Sequence, residues 1–243
     1  MKKSTALTIV LPLTLIFTGV FAQAKEHAKR KARVTTIAPD TPQQELEALK
    51  AGNRRFVTNE TLGQDYHYQI DKTKEGQKPY AVILSCIDSR IPVEIVFDQG
   101  IGELFVTRIA GNVENNDVLG GMEFGTKLSG AKLIVVMGHT RCGAVKGACN
   151  NVKLGNLTGL LDKIQPSVKR IKSHTPNFNP NSYEHIDLVS EENVRQTVAR
   201  IRAGSEVIRN LEKENQLQVV GAMYDISTGV VRFMEPASLA SAE

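Results

Sequence analysis

The chain has no tryptophan and only three cysteines among 243 residues, and aromatic residues make up just 5% of it. Three cysteines, Cys86, Cys142 and Cys149, cannot all pair, which argues against the disulfide framework that holds many exported proteins together. No C-x-x-C is present, so the dithiol motif of thiol redox proteins is missing too. A large excess of either charge is absent as well. The net charge is +4, much of it within "KEHAKRKAR" (25–33), a short run without interleaved aromatics that reads as a solvated linker and not as a nucleic-acid surface. The chain has no internal repeat and no low-complexity segment.

The one stretch with the look of an export signal lies at the start. "MKKSTALTIVLPLTLIFTGVFAQA" has two lysines, an apolar run broken by Pro12, and Ala22 and Ala24 around Gln23, the layout of a secretory signal peptide with an A-x-A cleavage site. Thr8, Pro12, Thr14 and Thr18 make it a poor spanning helix, and neither a stop-transfer pattern nor a lipobox-like cysteine follows. The expectation is a signal peptide over 1–24, a basic linker over 25–40 and one catalytic domain over 41–243, with the mature protein periplasmic or secreted and not stably bound to membrane.

Within that domain the pattern alternates. Thr41, Pro42 and Gln44 predict a capped helix start, followed by Leu46, Leu49 and Phe56 at helical spacing. Residues 58–78 are polar and read as loop or short helix. "YAVILSC" (80–86), "ELFVTRIAG" (103–111) and "KLIVVMGH" (132–139) are apolar runs of strand length. "NNDVLGGMEFGTKLSG" predicts a helix ending near Gly130. A helix is expected from Cys142 onward, with "LTGLLDKIQPSVKRI" in helical register until Pro166 interrupts it. "HTPNFNPNSYEH" predicts a loop, "DLVSEENVRQTVARIRAGSEVIRNLEKENQ" one long amphipathic helix, and "LQVVGAMYDI" with "VVRFME" a closing hairpin. The fold class is α/β: a mostly parallel central sheet with one antiparallel edge strand, flanked by helices.

Ligands bind such sheets outside the carboxyl ends of the strands. Cys86 stands at the end of one strand, followed by Asp88 and Arg90; His139 and Cys142 of "GHTRCG" stand at the end of another. Thiolate, imidazole and thiolate are donors that tetrahedral zinc prefers, and three protein donors leave the fourth position of a catalytic site. Cys142 also opens a helix, where the dipole favours thiolate. Cys149 lies seven residues on, about 10 Å along a helix, too far for the same ion, and reads as buried filler. His27, His67, His174 and His185 sit in polar segments and read as surface histidines.

"CIDSR" with "HTRCG" resembles the paired signatures of the β-class carbonic anhydrases, and the similarity extends through "GQKP", "FDQGIGELFVTRIAGN" and "GMEFGTKL" over the whole mature domain. The resemblance implies one Zn2+ per chain on Cys86, His139 and Cys142, an Asp88–Arg90 dyad, Gln77 holding substrate or product, and Phe105 and Phe124 walling the apolar side of the pocket. It implies reversible hydration of carbon dioxide to bicarbonate and a proton by zinc-bound hydroxide, with an activity that rises toward alkaline pH because two thiolates cancel the charge of the ion. In the family's closed form Asp88 becomes the fourth ligand. One regulated branch carries a tryptophan three residues before the first cysteine ligand; Ile83 stands there in this chain, so that branch's bicarbonate site is not expected and an accessible fourth position is. Carbonyl sulfide and carbon disulfide hydrolases share the same ligands, so a thiocarbonyl substrate is the alternative. The family also implies a homodimer or homotetramer with the pocket at the dimer interface, and no nucleic-acid partner.

Overall fold

Apolar runs bounded by glycine and polar turns become the strands of one five-stranded sheet in the computed structural model, which describes residues 39–235. Strands β1 (Ala81–Ser85), β2 (Leu104–Arg108), β3 (Leu133–His139) and β4 (Gln218–Tyr224) are parallel, and β5 (Val231–Phe233) runs antiparallel to β4. The spatial order is β2-β1-β3-β4-β5. Every residue of β1 and β3 is buried, as expected of central strands covered on both faces. The signal peptide and all but the last two residues of the basic linker lie outside the described residues. Among the described residues, 39–61 and 66–235 belong to one compact unit, and 62–65 stand outside it. No helix among the described residues is long and apolar enough to cross a membrane.

Alternation along the strands sorts the core into two layers. Ala81, Ile83, Leu133, Val135 and Met137 face one cluster, covered by α1 (Pro42–Val57), α3 (Val93–Val96), α5 (Gly143–Cys149), α6 (Gly155–Asp162) and α7 (Gln165–His174). Val82, Leu84, Ile134 and Val136 face the other, covered by α4 (Asn116–Glu123) and α9 (Glu206–Lys213). The long α8 (Tyr183–Gly204) serves both: Ile186 and Val189 pack in the first cluster, Val194, Val198 and Ile201 in the second. A short exposed helix, α2 (Tyr66–Thr73), buries no residue.

Several local expectations are corrected. Thr41 Oγ1 does accept from the Gln44 N–H at 3.2 Å, but Gln44 Oε1 returns to Asp40 N (3.0 Å) and not to Thr41, so the capping box is displaced by one residue. Pro166 does not interrupt a helix. The break comes earlier, at Lys163–Ile164, and Pro166 sits in the first turn of α7, where its missing N–H has no intrahelical partner to lose. The predicted single helix after His185 begins earlier, at Tyr183, and is two helices. Ser205 ends α8 and caps α9 by accepting from Ile208 N at 3.2 Å. After α4 the chain continues as a π-helical stretch, Phe124–Leu128, in which Gly125 lies so close to β1 that a Cβ would come 2.7 Å from Val82 Cγ2.

Candidate metal centre

The carboxyl ends of β1 and β3 are neighbours because the two strands pair in register, Ser85 opposite Met137. The residues that follow them, Cys86 and the stretch from His139 to Cys142, therefore meet. The donor atoms of Cys86, His139 and Cys142 all lie within 4.8 Å of one another, and all three residues are buried.

Each donor is fastened. Cys86 Sγ accepts the buried Gly111 N–H at 3.3 Å. His139 Nδ1 lies 2.9 Å from Thr140 O, which fixes that nitrogen as the N–H donor and turns Nε2 toward the sulfurs. The loop from His139 to Cys142 is tied to β4 and the chain beyond it by Thr140 N to Tyr224 O (3.0 Å) and Ile226 N to Thr140 Oγ1 (3.1 Å). It is tied to α8 by Asp187, whose Oδ1 accepts the N–H of Arg141 at 2.6 Å. Arg141 takes a left-handed conformation with φ 56°, which costs a residue with a Cβ about 1–2 kcal/mol, so the Asp187 contact holds a strained link between two donors.

Asp88 and Arg90 stand beside the cluster. Arg90 Nε donates to Asp88 Oδ1 at 2.9 Å and Nη2 to Oδ2 at 2.7 Å, with the Arg90 backbone N–H also on Oδ1 at 3.0 Å. This bidentate contact holds the Asp88 carboxyl down at about 2. Asp88 Oδ2 is 4.0 Å from His139 Nε2, so the carboxylate turns to arginine and does not join the three donors. Arg108, which the sequence reading did not single out, clamps the same segment from β2 by donating to Cys86 O (2.9 Å) and Asp88 O (2.5 Å).

The donor set fits a zinc-type ion. His139 Nε2 is buried without a hydrogen-bond partner, a cost of about 1–3 kcal/mol that a metal bond would remove. The two thiols perturb each other as a pair awaiting a cation would. Hydrogen bonding from the Cys142 thiol and the Gly111 and Asp88 N–H groups outweighs burial and holds Cys86 at about 4, whereas the hydrogen bond to Cys86, burial and the Cys86 charge push Cys142 well above the ordinary thiol. The helix-start pull expected at Cys142 is present but does not decide the direction in the metal-free pair. The Val145 and Ala144 N–H groups do pull its thiol down, but the neighbouring sulfur and burial outweigh them. Cys149 is buried outside the cluster, its thiol pushed up to about 11 by burial.

The remaining expected site residues lie elsewhere in the protomer. Gln77 is exposed beside Gly102, at the amino end of the sheet. Five strand residues at about 3.3 Å each place that rim about 17 Å from Cys86. Phe105 pairs with Val82 near the same rim and meets Phe124 edge-on, centroids 6.0 Å apart. His67 and His174 are exposed as expected, but His185 is only half-buried surface: it stacks on Phe178 at 5.3 Å and accepts from Asn179 N at 2.8 Å.

Two cysteine sulfurs and an imidazole on the carboxyl rim of a parallel sheet, with an arginine-held carboxylate alongside, define an α/β metalloenzyme of the zinc type. The comparisons give the family. The carbonic anhydrase profile matches residues 81–231. Carbonic anhydrase 2 of Mycobacterium tuberculosis is 36% identical over 188 residues, covering 75% of this chain and 88% of that protein. The β-carbonic anhydrase CafA of Aspergillus fumigatus shares the fold with a TM-score of 0.63 at 24% identity, over 93% of this chain and 96% of that one. Tetrameric β-carbonic anhydrase of Sordaria macrospora superposes with a TM-score of 0.62 at 21% identity, over 90% and 97% of the two chains. This chain belongs to the carbonic anhydrase family, and its fold is that of the β class.

Proposed function

We propose that the protein catalyses the reversible hydration of carbon dioxide, with Cys86, His139 and Cys142 holding one zinc ion. The observation that carries this reading is the convergence of the three buried donors beside an Asp88 that Arg90 keeps away from them. Zinc bound there would supply an acidified water as nucleophile and neutralise charge that develops during attack.

The chain's own groups do the rest. Asp88, held at about 2, stays anionic throughout the working pH range, so it is too weak a base to keep a proton. Its role is to accept a hydrogen bond at Oδ2, 4.0 Å from His139 Nε2, and so aim the attacking lone pair at carbon. Arg90 and Arg108 fix that oxygen, one by the side chain and the other by the backbone of the same segment. Cys86 and Cys142, both thiolate when they ligate, temper the field of the ion, which makes the rate climb with pH.

Gln77, Phe105 and Phe124 are assigned to the pocket of a second copy, because they lie toward the amino ends of the strands and the protomer's own centre lies at the carboxyl ends. Phe124 and Leu128 are 51% and 77% exposed next to the free edge of β2, a surface suited to pairing. The layout of residues 1–24 supports export, with Lys25 as the mature amino terminus; amino-terminal sequencing of the periplasmic or secreted fraction tests this.

The test of function is stopped-flow carbon dioxide hydration from pH 6.5 to 9 with zinc measured on the same sample. About one zinc per chain and a rate rising with pH are expected. Zinc without hydration at any pH would refute the reaction while leaving the centre intact.

A further inference from the structure

We infer that Asn193 is a positioning residue for the metal centre, acting through the Gly111 peptide to keep a hydrogen bond on the Cys86 sulfur; this rests on the metal-centre reading above. Asn193 is fully buried on α8, and its Nδ2 donates to Gly111 O at 2.8 Å. On the other side of the same residue, the Gly111 N–H donates to Cys86 Sγ at 3.3 Å, also out of solvent. The carboxamide is thus one residue removed from a metal donor without touching it.

Three observations argue that this link is held and not incidental. Gly111 and Asn112 are consecutive left-handed residues, φ 70° and 44°, and a Cβ on Gly111 would come 2.6 Å from Ile164 Cδ1. The left-handed backbone costs nothing at Gly111 but does at Asn112, and the Asn193 hydrogen bond to the Gly111 carbonyl helps hold the turn there. The anchor itself is rigid: α8 approaches β3 so closely at Gly138, the residue before His139, that a Cβ there would lie 2.6 Å from Val194 Cγ2. Finally, Asn193 Oδ1 is buried without a hydrogen-bond partner among protein atoms. Packing alone would favour leucine, which has a similar size and leaves no polar atom stranded. The amide donor is what leucine lacks.

An N–H aimed at a thiolate withdraws electron density from sulfur and fixes the direction of its lone pairs. Partners of this kind commonly change metal affinity by about 10–100-fold. Asn193→Leu removes the donor but keeps the volume; Asn193→Asp keeps the shape and replaces the donor with a second acceptor facing Gly111 O.

Zinc affinity of both variants is measured by competition with a chromophoric chelator, alongside the thiolate-to-metal charge-transfer band of the cobalt(II)-substituted proteins. The expected result is a loss of about 10–100-fold in zinc affinity for each and a charge-transfer band moved to longer wavelength, with thermal stability of metal-free Asn193→Leu close to that of the parent. Affinity within twofold and an unmoved band would overturn the inference, as would an affinity loss that follows thermal stability alone while the band stays put. The unaltered protein supplies a test that no folding failure can obscure. Loaded with 113Cd, it should show scalar coupling between the metal and the Gly111 amide proton across the N–H···S bond, and absence of that coupling overturns the proposal. If the parent takes up no metal at all, the centre itself is wrong, an outcome distinct from the failure of Asn193.

Discussion

Glu45 gives the most quantitative prediction, because the protein buries a carboxyl there with one modest hydrogen bond to support it. The residue lies on α1 with 2% of its surface exposed, and Oε2 accepts the Lys132 backbone N–H at 3.0 Å. The Lys132 ammonium is engaged by Asp40, at 2.6 Å from its Oδ1. Burial pushes the Glu45 carboxyl up to about 8 from an ordinary 4.5, with the Lys132 N–H and the Lys132 charge pulling the other way and Asp40 adding to the rise. The unfolded chain releases this proton near pH 4.5 and the folded chain only near 8, so folding takes up a proton between those values and stability falls as pH rises through that window. At 1.36 kcal/mol per unit the full shift corresponds to about 5 kcal/mol, and local relaxation around the charged form brings the expected effect to about 2–5 kcal/mol. Glu45→Gln keeps the shape and the acceptor but has no proton to lose. It should match the parent below about pH 4.5 and exceed it by about 5–15 °C in Tm at pH 9, for a chain of this size. Thermal unfolding of both zinc-loaded proteins from pH 4.5 to 9 measures this, since any titration at the metal centre is common to both and cancels in the difference. A difference independent of pH, or a Glu45→Gln variant less stable than the parent at pH 9, would refute the reasoning.

Cys142→Ser should abolish zinc binding and reduce hydration to background, while Cys149→Ser, outside the cluster, keeps both; metal analysis and activity on the two proteins decide. Arg90→Gln releases Asp88, and losing the bidentate hold should lower activity by about 10–100-fold with zinc retained; X-ray absorption that shows no added carboxylate oxygen, with activity unchanged, would count against a gating role. Zinc uptake by the metal-free protein between pH 6 and 8 should release about one thiol proton, because Cys86 is already thiolate and Cys142 is not. Calorimetry in two buffers of different ionisation enthalpy reads this number, and a release near two would show both thiols starting protonated. If a partner's Gln77 serves each centre, inactive Cys86→Ser and impaired Gln77→Ala chains mixed under subunit exchange should regain about a quarter of parental sites, one intact site in half of the dimers; no gain on mixing would place Gln77 outside the pocket.

The strands were legible because buried parallel strands leave continuous apolar runs, and the donors were legible because two of those runs end in metal-type residues. What fastens the donors was not, since it comes from far along the chain. Arg108 follows an apolar run just as Arg90 follows the Cys86 turn, but only the pairing of β1 with β2 shows that it reaches Cys86 O. Asn193 lies 82 residues from Gly111 in an amphipathic helix where a polar residue signals solvent, and here it is fully buried. The split between α8 and α9 did have a local sign: Gly204-Ser205-Glu206 is a stop followed by a cap and a first-turn acid, overridden by the apolar stripe running through it. At Pro166 the ambiguity was intrinsic, because a proline that ends one helix and a proline that begins the next give the same local pattern, and only the break at Lys163–Ile164 tells them apart.

The polar burials around the centre form a set that one cation would answer. The histidine nitrogen with no partner is a cost in the protein alone, while one thiol is held as an anion and the second is kept protonated by the first. A single dication answers all three: it takes the Nε2 lone pair, cancels the Cys86 charge and removes the reason Cys142 resists ionisation. Metal affinity and fold stability are therefore linked through the same three side chains. Glu45 stands apart from this set. It is buried against the Lys132 backbone on α1, away from the donors, and no cation at the centre relieves it. Stability gained from zinc and stability lost with rising pH at Glu45 should accordingly vary independently, each altered by substitutions that leave the other unchanged.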